Sequence, residues 1–143
     1  MQLLTRPTKA SDIERQWFLV DVKKKVLGRI AVEIAHKLMG KSKPSFVRHL
    51  DCGDYVVVIN AKHVAVTGHK EKEKMYARYS GYPGGLKKKA LWQLRLDKPG
   101  EIIRRAVMGM LPKNKLRDRM VTRLYVYPES THPYQDKFTK RVS

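Results

Sequence analysis

A single cysteine, Cys52, rules an internal disulfide out of this 143-residue chain and fits a reducing compartment. Long apolar runs are missing too: nothing approaches the ~20 residues of a membrane-spanning helix. No basic amphipathic stretch carries the broad aromatic face of a membrane-surface helix. The first sixteen residues, MQLLTRPTKASDIERQ, have no apolar signal core. They also contain Asp12 and Glu14, which an acid-poor transit peptide avoids. These absences give the expectation of a cytoplasmic protein. Repeats and low-complexity segments are absent as well, so residues 1–143 are expected to form one domain.

Negative charge is the shortage that bears on function. Asp and Glu total 13 against 31 Lys and Arg, a formal charge of +18. Like charges packed into one compact body repel, and a large polyanion relieves that repulsion. Nucleic acid is the expected partner.

The hydrophobic pattern predicts a mixed α/β core over 17–127, with an N-terminal arm over 1–16 and a polar C-terminal tail over 128–143. WFLVDV (17–22) reads as a strand. From Val26 the apolar residues Leu27, Ile30, Ala31, Ile34, Leu38 and Met39 repeat at helical spacing, and Gly40 stands at the C-cap position. YVVVI (55–59) is apolar throughout, which asks for cover on both faces, as inside a parallel sheet. The span 17–59 therefore predicts a βαβ crossover. VAVT (64–67) and LYVY (124–127) are further strand candidates. ALWQLRL (90–96) fits a strand or a short helix. Asp97, Pro99 and Glu101 signal a helix start, Pro112 a helix end, and NKLRDRMVT (114–122) a second, shorter helix.

Enzyme signatures do not assemble. GKS (40–42) lacks the earlier P-loop glycine, whose place is taken by Ala35, and it follows a helix instead of preceding one. LGR (27–29) is a fragment of a dinucleotide fingerprint without its other glycines. If strands 17–22 and 55–59 are parallel, Asp21 falls at one sheet edge and Asp51 with Asp54 at the other, ~15–20 Å apart. His49, Cys52, His63 and His69 form a loose zinc pattern, but the spacing departs from the finger forms. Ser45, His49 and Asp51 lack a nucleophile elbow. No catalytic residue, cofactor, metal or small-molecule substrate is expected.

The positive charge is gathered in three segments. Lys41, Lys43, Arg48 and His49 share a proline-interrupted loop without an acid before Asp51. Lys70, Lys72 and Arg78 lead into YSGYPGGLKKK (79–89), where Tyr79 and Tyr82 surround a glycine, Gly84 and Gly85 free the backbone, and Lys87 and Lys88 follow. Lys113, Lys115, Arg117, Arg119 and Arg123 crowd the late short helix around one acid, Asp118. Glycines let backbone approach phosphates, tyrosines stack on unpaired bases, and Arg forks onto phosphate. Separate basic segments on one small body point to a folded RNA touched on several sides. A small nucleic-acid-processing enzyme and a DNA-compacting protein are the alternatives on charge alone.

Six stretches carry a resemblance: WFLVDV with LGR (17–29), RHLDCGDYVVVINA (48–61), TGHK (67–70), YSGYPGGL (79–86) and RAVMGMLPKNKLR (105–117). Together they resemble the bacterial-type large-subunit ribosomal protein thirteen family, from about residue 15 towards the tail. The resemblance implies a three-layer α/β/α fold around a mainly parallel four-stranded sheet. It also implies a non-catalytic role: binding large-subunit ribosomal RNA early in assembly, beside neighbouring ribosomal proteins. The family's basic loops fall on 41–49, 70–89 and 113–123, and the eighteen side chains and glycines named above within them are the expected RNA contacts.

Overall fold

The structure is a computed structural model and describes residues 6–139; residues 1–5 of the expected arm and 140–143 of the expected tail lie outside the described residues. Three strands form the central sheet: β1 (Trp17–Asp21), β2 (Tyr55–Ile59) and β5 (Leu124–Val126). Their order is β1-β2-β5 and both pairings are parallel. Helix α1 (Leu27–Met39) makes the crossover from β1 to β2. A short helix α2 (Lys70–Glu73), a hairpin of β3 (Met75–Tyr79) and β4 (Leu86–Ala90), and helices α3 (Leu91–Asp97), α4 (Pro99–Met110) and α5 (Leu116–Thr122) fill the space before β5. A last helix, α6 (Gln135–Thr139), follows it. No helix of the described residues is long and apolar enough to cross a membrane.

The α1 pattern buries Leu27, Ile30, Ala31, Ile34, Ala35, Leu38 and Met39. These meet Val20, Val56, Val58 and Leu124 from one sheet face, together with Ile102, Ile103 and Val107 of α4. Each Val, Leu, Ile or Met among them contributes about 1.5–3 kcal/mol on full burial. Gly40 ends α1 at φ 75°, and a Cβ there would overlap the Cys52 carbonyl oxygen, so only glycine serves. Opposite the helices, Trp17, Tyr55 and Tyr125 stack in a row, with Trp17 and Tyr55 centroids 4.4 Å apart. Tyr134 caps that row, 5.2 Å from Trp17 and 4.7 Å from Tyr125. Val57 lies fully buried beneath it. The all-apolar β2 is thus covered on both faces, as its composition requires.

Three expectations need correction. The parallel sheet has three strands, not four. Residues 64–67 contribute one parallel bridge, Val26 to Ala65, because the partner segment turns helical at Leu27. That bridge still serves α1: Ala65 O accepts the Leu27 N–H (2.8 Å), an otherwise orphaned helix-start donor. Second, the third layer is thin, being the aromatic row and short α6 instead of a full helical layer. Third, Asp97 ends α3 instead of capping α4; Lys98 is the cap residue and Pro99 opens α4.

Candidate nucleic-acid interface

Asp54 and Asp51 organise the inner side of the first basic loop. Asp54 is buried, accepts the Gln16 N–H (2.9 Å), and pairs with Lys43 Nζ (2.6 Å). Lys43 also donates to the Glu14 and Cys52 carbonyls. Arg123 is 7% exposed; its guanidinium forks onto the Asp51 carboxylate and donates to Leu38 O (2.9 Å) and Asp54 O (3.3 Å). Arg15 donates to Gly53 O (2.6 Å) and Asp51 O (3.0 Å). Burial by itself pushes the Asp51 carboxyl up. The Arg123 hydrogen bonds and charge, helped by Arg15, outweigh it and hold Asp51 below the usual carboxylate range. This buried network ties the arm, the loop before β2 and the end of α5 into one unit.

Lys43 and Arg123 are among the RNA contacts expected from the sequence, and the structure gives both cations inward tasks. The interface is therefore drawn without them. The other expected Lys and Arg residues stand differently. Lys41, Arg48, Lys70, Lys72, Arg78, Lys87, Lys88, Lys113, Lys115 and Arg119 are exposed and Arg117 is half-buried. None of the eleven makes an ion pair among the described residues. The acids are used elsewhere: Glu71 by Arg95, Asp97 by Lys89, Glu129 by Lys62 and Glu101 by Arg105. Unpaired cations are what an external polyanion can neutralise.

These residues gather in two places. In the first, the 41–50 loop meets the segment after α4. Lys41, Arg48 and Asn114 line one cavity of about 340 Å³ there, and His49 and Arg119 line a neighbouring one of about 320 Å³. Asn114 Oδ1 accepts the Leu116 N–H (3.1 Å), which helps fix the start of α5 beside the loop.

The second place is the β3–β4 hairpin. Pairing sets Arg78 opposite Lys87 and Tyr76 opposite Lys89 on one face, and Tyr79 opposite Leu86 on the other. The first face looks across a cleft of about 370 Å³ to Lys98 and Arg105 of the α3–α4 corner. Arg105 lies over the Tyr76 ring, 5.2 Å from its centroid. On the second face Met75, Tyr79 and Leu86 are exposed, and Tyr82 is 75% exposed at the tip. The tip is held by Gly85 N donating to Tyr82 O (3.0 Å), with Gly84 at φ 73°. Lys70 and Lys72 lie on α2, which an Arg95–Glu71 fork ties to α3.

Among the described residues, the groups that the enzyme alternative needs are not brought together. Parallel register sets Asp21 opposite Ile59 and Tyr55 opposite Trp17, so Asp21 and Asp54 stand at opposite sheet edges. Asp21 accepts from Asn60 Nδ2 and the Lys23 N–H, which hold its carboxyl low. Among the described residues no three His, Cys, Asp or Glu side chains form a metal-ligating group. Cys52 is buried, with Sγ near the Ser45 and Leu50 carbonyls.

With that geometry in hand, comparison with known proteins gives a single family. The model of the family described as ribosomal protein L13 matches residues 15–133. The chain belongs to the ribosomal protein L13 family. Its curated relatives include the large ribosomal subunit protein uL13 of Caldanaerobacter subterraneus, 53% identical over 89% of each chain. The uL13 of Dehalococcoides mccartyi is 49% identical over 91% of each chain. The uL13 of a Geobacter strain is 45% identical over 97% of this chain and 98% of its own. The L13 family is a ribosomal-protein family and not an enzyme family. Sequence reasoning about this L13-family chain missed Lys98 and Asn114 as lining residues of the basic clefts and left Arg105, though read as part of a basic helix face, out of the expected contacts. For Arg105 a signal existed, since it lies off the apolar face of α4; Lys98 and Asn114 gave none beyond their neighbours.

Proposed function

We propose that the protein is a non-catalytic RNA-binding constituent of the large subunit of the cytoplasmic ribosome. It holds segments of the large-subunit ribosomal RNA together from early assembly onward, beside neighbouring ribosomal proteins. The observation that carries this reading is the set of eleven cations without an ion-pair partner among the described residues, drawn from segments far apart in sequence. A protein that needed only solubility would have no reason to engage its acids with other cations and leave these eleven without an ion-pair partner among the described residues. Lys and Arg release counterions from phosphates, the hairpin glycines allow close backbone approach, and exposed Tyr79 and Tyr82 offer stacking faces.

The test is affinity for large-subunit RNA as a function of salt. Arg117→Ala with Arg119→Ala should weaken binding and flatten the salt slope by up to ~0.9 for each duplex phosphate that is no longer neutralised. An unchanged slope removes α5 from the interface. Duplex DNA competing equally at matched salt would favour a DNA-compacting protein instead.

A further inference from the structure

The cavity of about 340 Å³ between the first basic loop and α5 combines an apolar lining with exposed cations. Met39 comes from the end of α1, Met120 from α5, and Phe46 from the loop. Met39 and Met120 are buried in the core, so that part of the floor is rigid. Leu50 and Pro112 form the sides. Polar groups stand only around it: Lys41 and Arg48 are exposed and unpaired among the described residues, and Asn114 has its Oδ1 engaged with Leu116. The Asn114 Nδ2 donor is thereby left for a ligand.

The volume lies at the low end for small-molecule pockets, ~300–1,000 Å³. It suits one nucleotide and is too small for a folded element. A cation pair beside an apolar slot with one amide donor matches an unstacked nucleotide: base on thioethers and a phenyl ring, phosphate on Lys41 and Arg48.

We infer that this cavity takes a single flipped-out nucleobase of the bound RNA, so that the first basic loop grips RNA by insertion as well as by charge. The inference rests on the RNA-binding reading. It adds that one base leaves its stack, which charge alone does not require.

Methionine methyl NMR on the full-length chain tests it. The probes are 5′-AMP, ribose 5-phosphate and a short single-stranded oligoadenylate. Insertion is expected to shift the Met39 and Met120 methyls by the base's ring current. AMP should bind at least about fivefold more tightly than ribose 5-phosphate, the low end of what one stacked base contributes. Asn114→Asp keeps the oxygen that accepts from Leu116 and removes the donor; it should lose affinity for AMP without unfolding. Leu50→Trp should fill the slot and abolish the methyl shifts, yet leave salt-dependent binding to large-subunit RNA in place.

Methyls that stay still while the oligonucleotide binds overturn the inserted base and leave the RNA-binding reading intact. So do methyls that move only when other ribosomal proteins are added, which would make the cavity a protein dock. Failure of any RNA to bind overturns both readings together.

Discussion

Arg119 and Arg123 stand one helical turn apart, and their guanidinium groups have opposite surroundings. Arg123 is buried against Asp51 and two backbone carbonyls, whereas Arg119 is exposed and unpaired among the described residues. Arg123→Ala should therefore cost about 3–5 kcal/mol in denaturant unfolding, because Asp51 is left buried without its partner. Arg119→Ala should stay within about 0.5 kcal/mol of the parent and lose RNA affinity instead. Equal stability losses for the two would contradict the assignment. Sequence alone does not separate them: both are arginines in one basic helix, and Asp51 lies 72 residues away in the chain. Asp51 gives a second prediction. Its folded-state pKa lies below the unfolded value of 3.8. Such a group adds stability above its unfolded pKa and loses it as pH falls through the folded one. The melting temperature should drop below about pH 4. Asp51→Asn should start lower and show a shallower acid limb; an identical limb would mean that other carboxylates carry the transition.

Elements differ in how plainly the chain announces them, and burial explains the difference. The crossover from β1 through α1 to β2 is legible because its residues face a core on defined sides. β2 in particular has an unbroken apolar centre, with Val56, Val57 and Val58 all buried. The β3–β4 hairpin reads as loop because both of its faces are largely exposed, so Lys87–Lys89 shows no alternation. The available signal is two five-residue runs separated by a glycine- and proline-rich turn. The tail reads as polar, and Tyr134, which rests on the sheet, is legible only after the Tyr55–Trp17–Tyr125 row is seen. Tyr134→Ala should cost about 1–2 kcal/mol, combining the loss of aromatic pairing with that of partial burial. It should also change the emission of Trp17. Unchanged emission would mean that the tail does not rest on the sheet in solution.

Over the whole molecule, a charge of +18 coexists with acids that are mostly held in ion pairs with other cations. Asp51 and Asp54 serve the buried network, and Glu71 and Asp97 brace the helices around the hairpin. Little negative charge remains to offset the loops, so repulsion among unpaired cations should destabilise the free protein. Adding salt in the range below ~0.15 M should raise its melting temperature, since screening weakens that repulsion. A protein held mainly by surface ion pairs would respond in the opposite sense. The same reasoning makes the assembled particle the place where the charge is relieved. Lysine acetylation read by mass spectrometry, on the free protein and on intact large subunits, measures this directly. Lys41, Lys72, Lys87, Lys88, Lys113 and Lys115 should react in the free protein and be protected in the subunit, with protection lost on nuclease digestion of the RNA. Equal reactivity of those lysines in the free protein and in the intact subunit would contradict the proposed role.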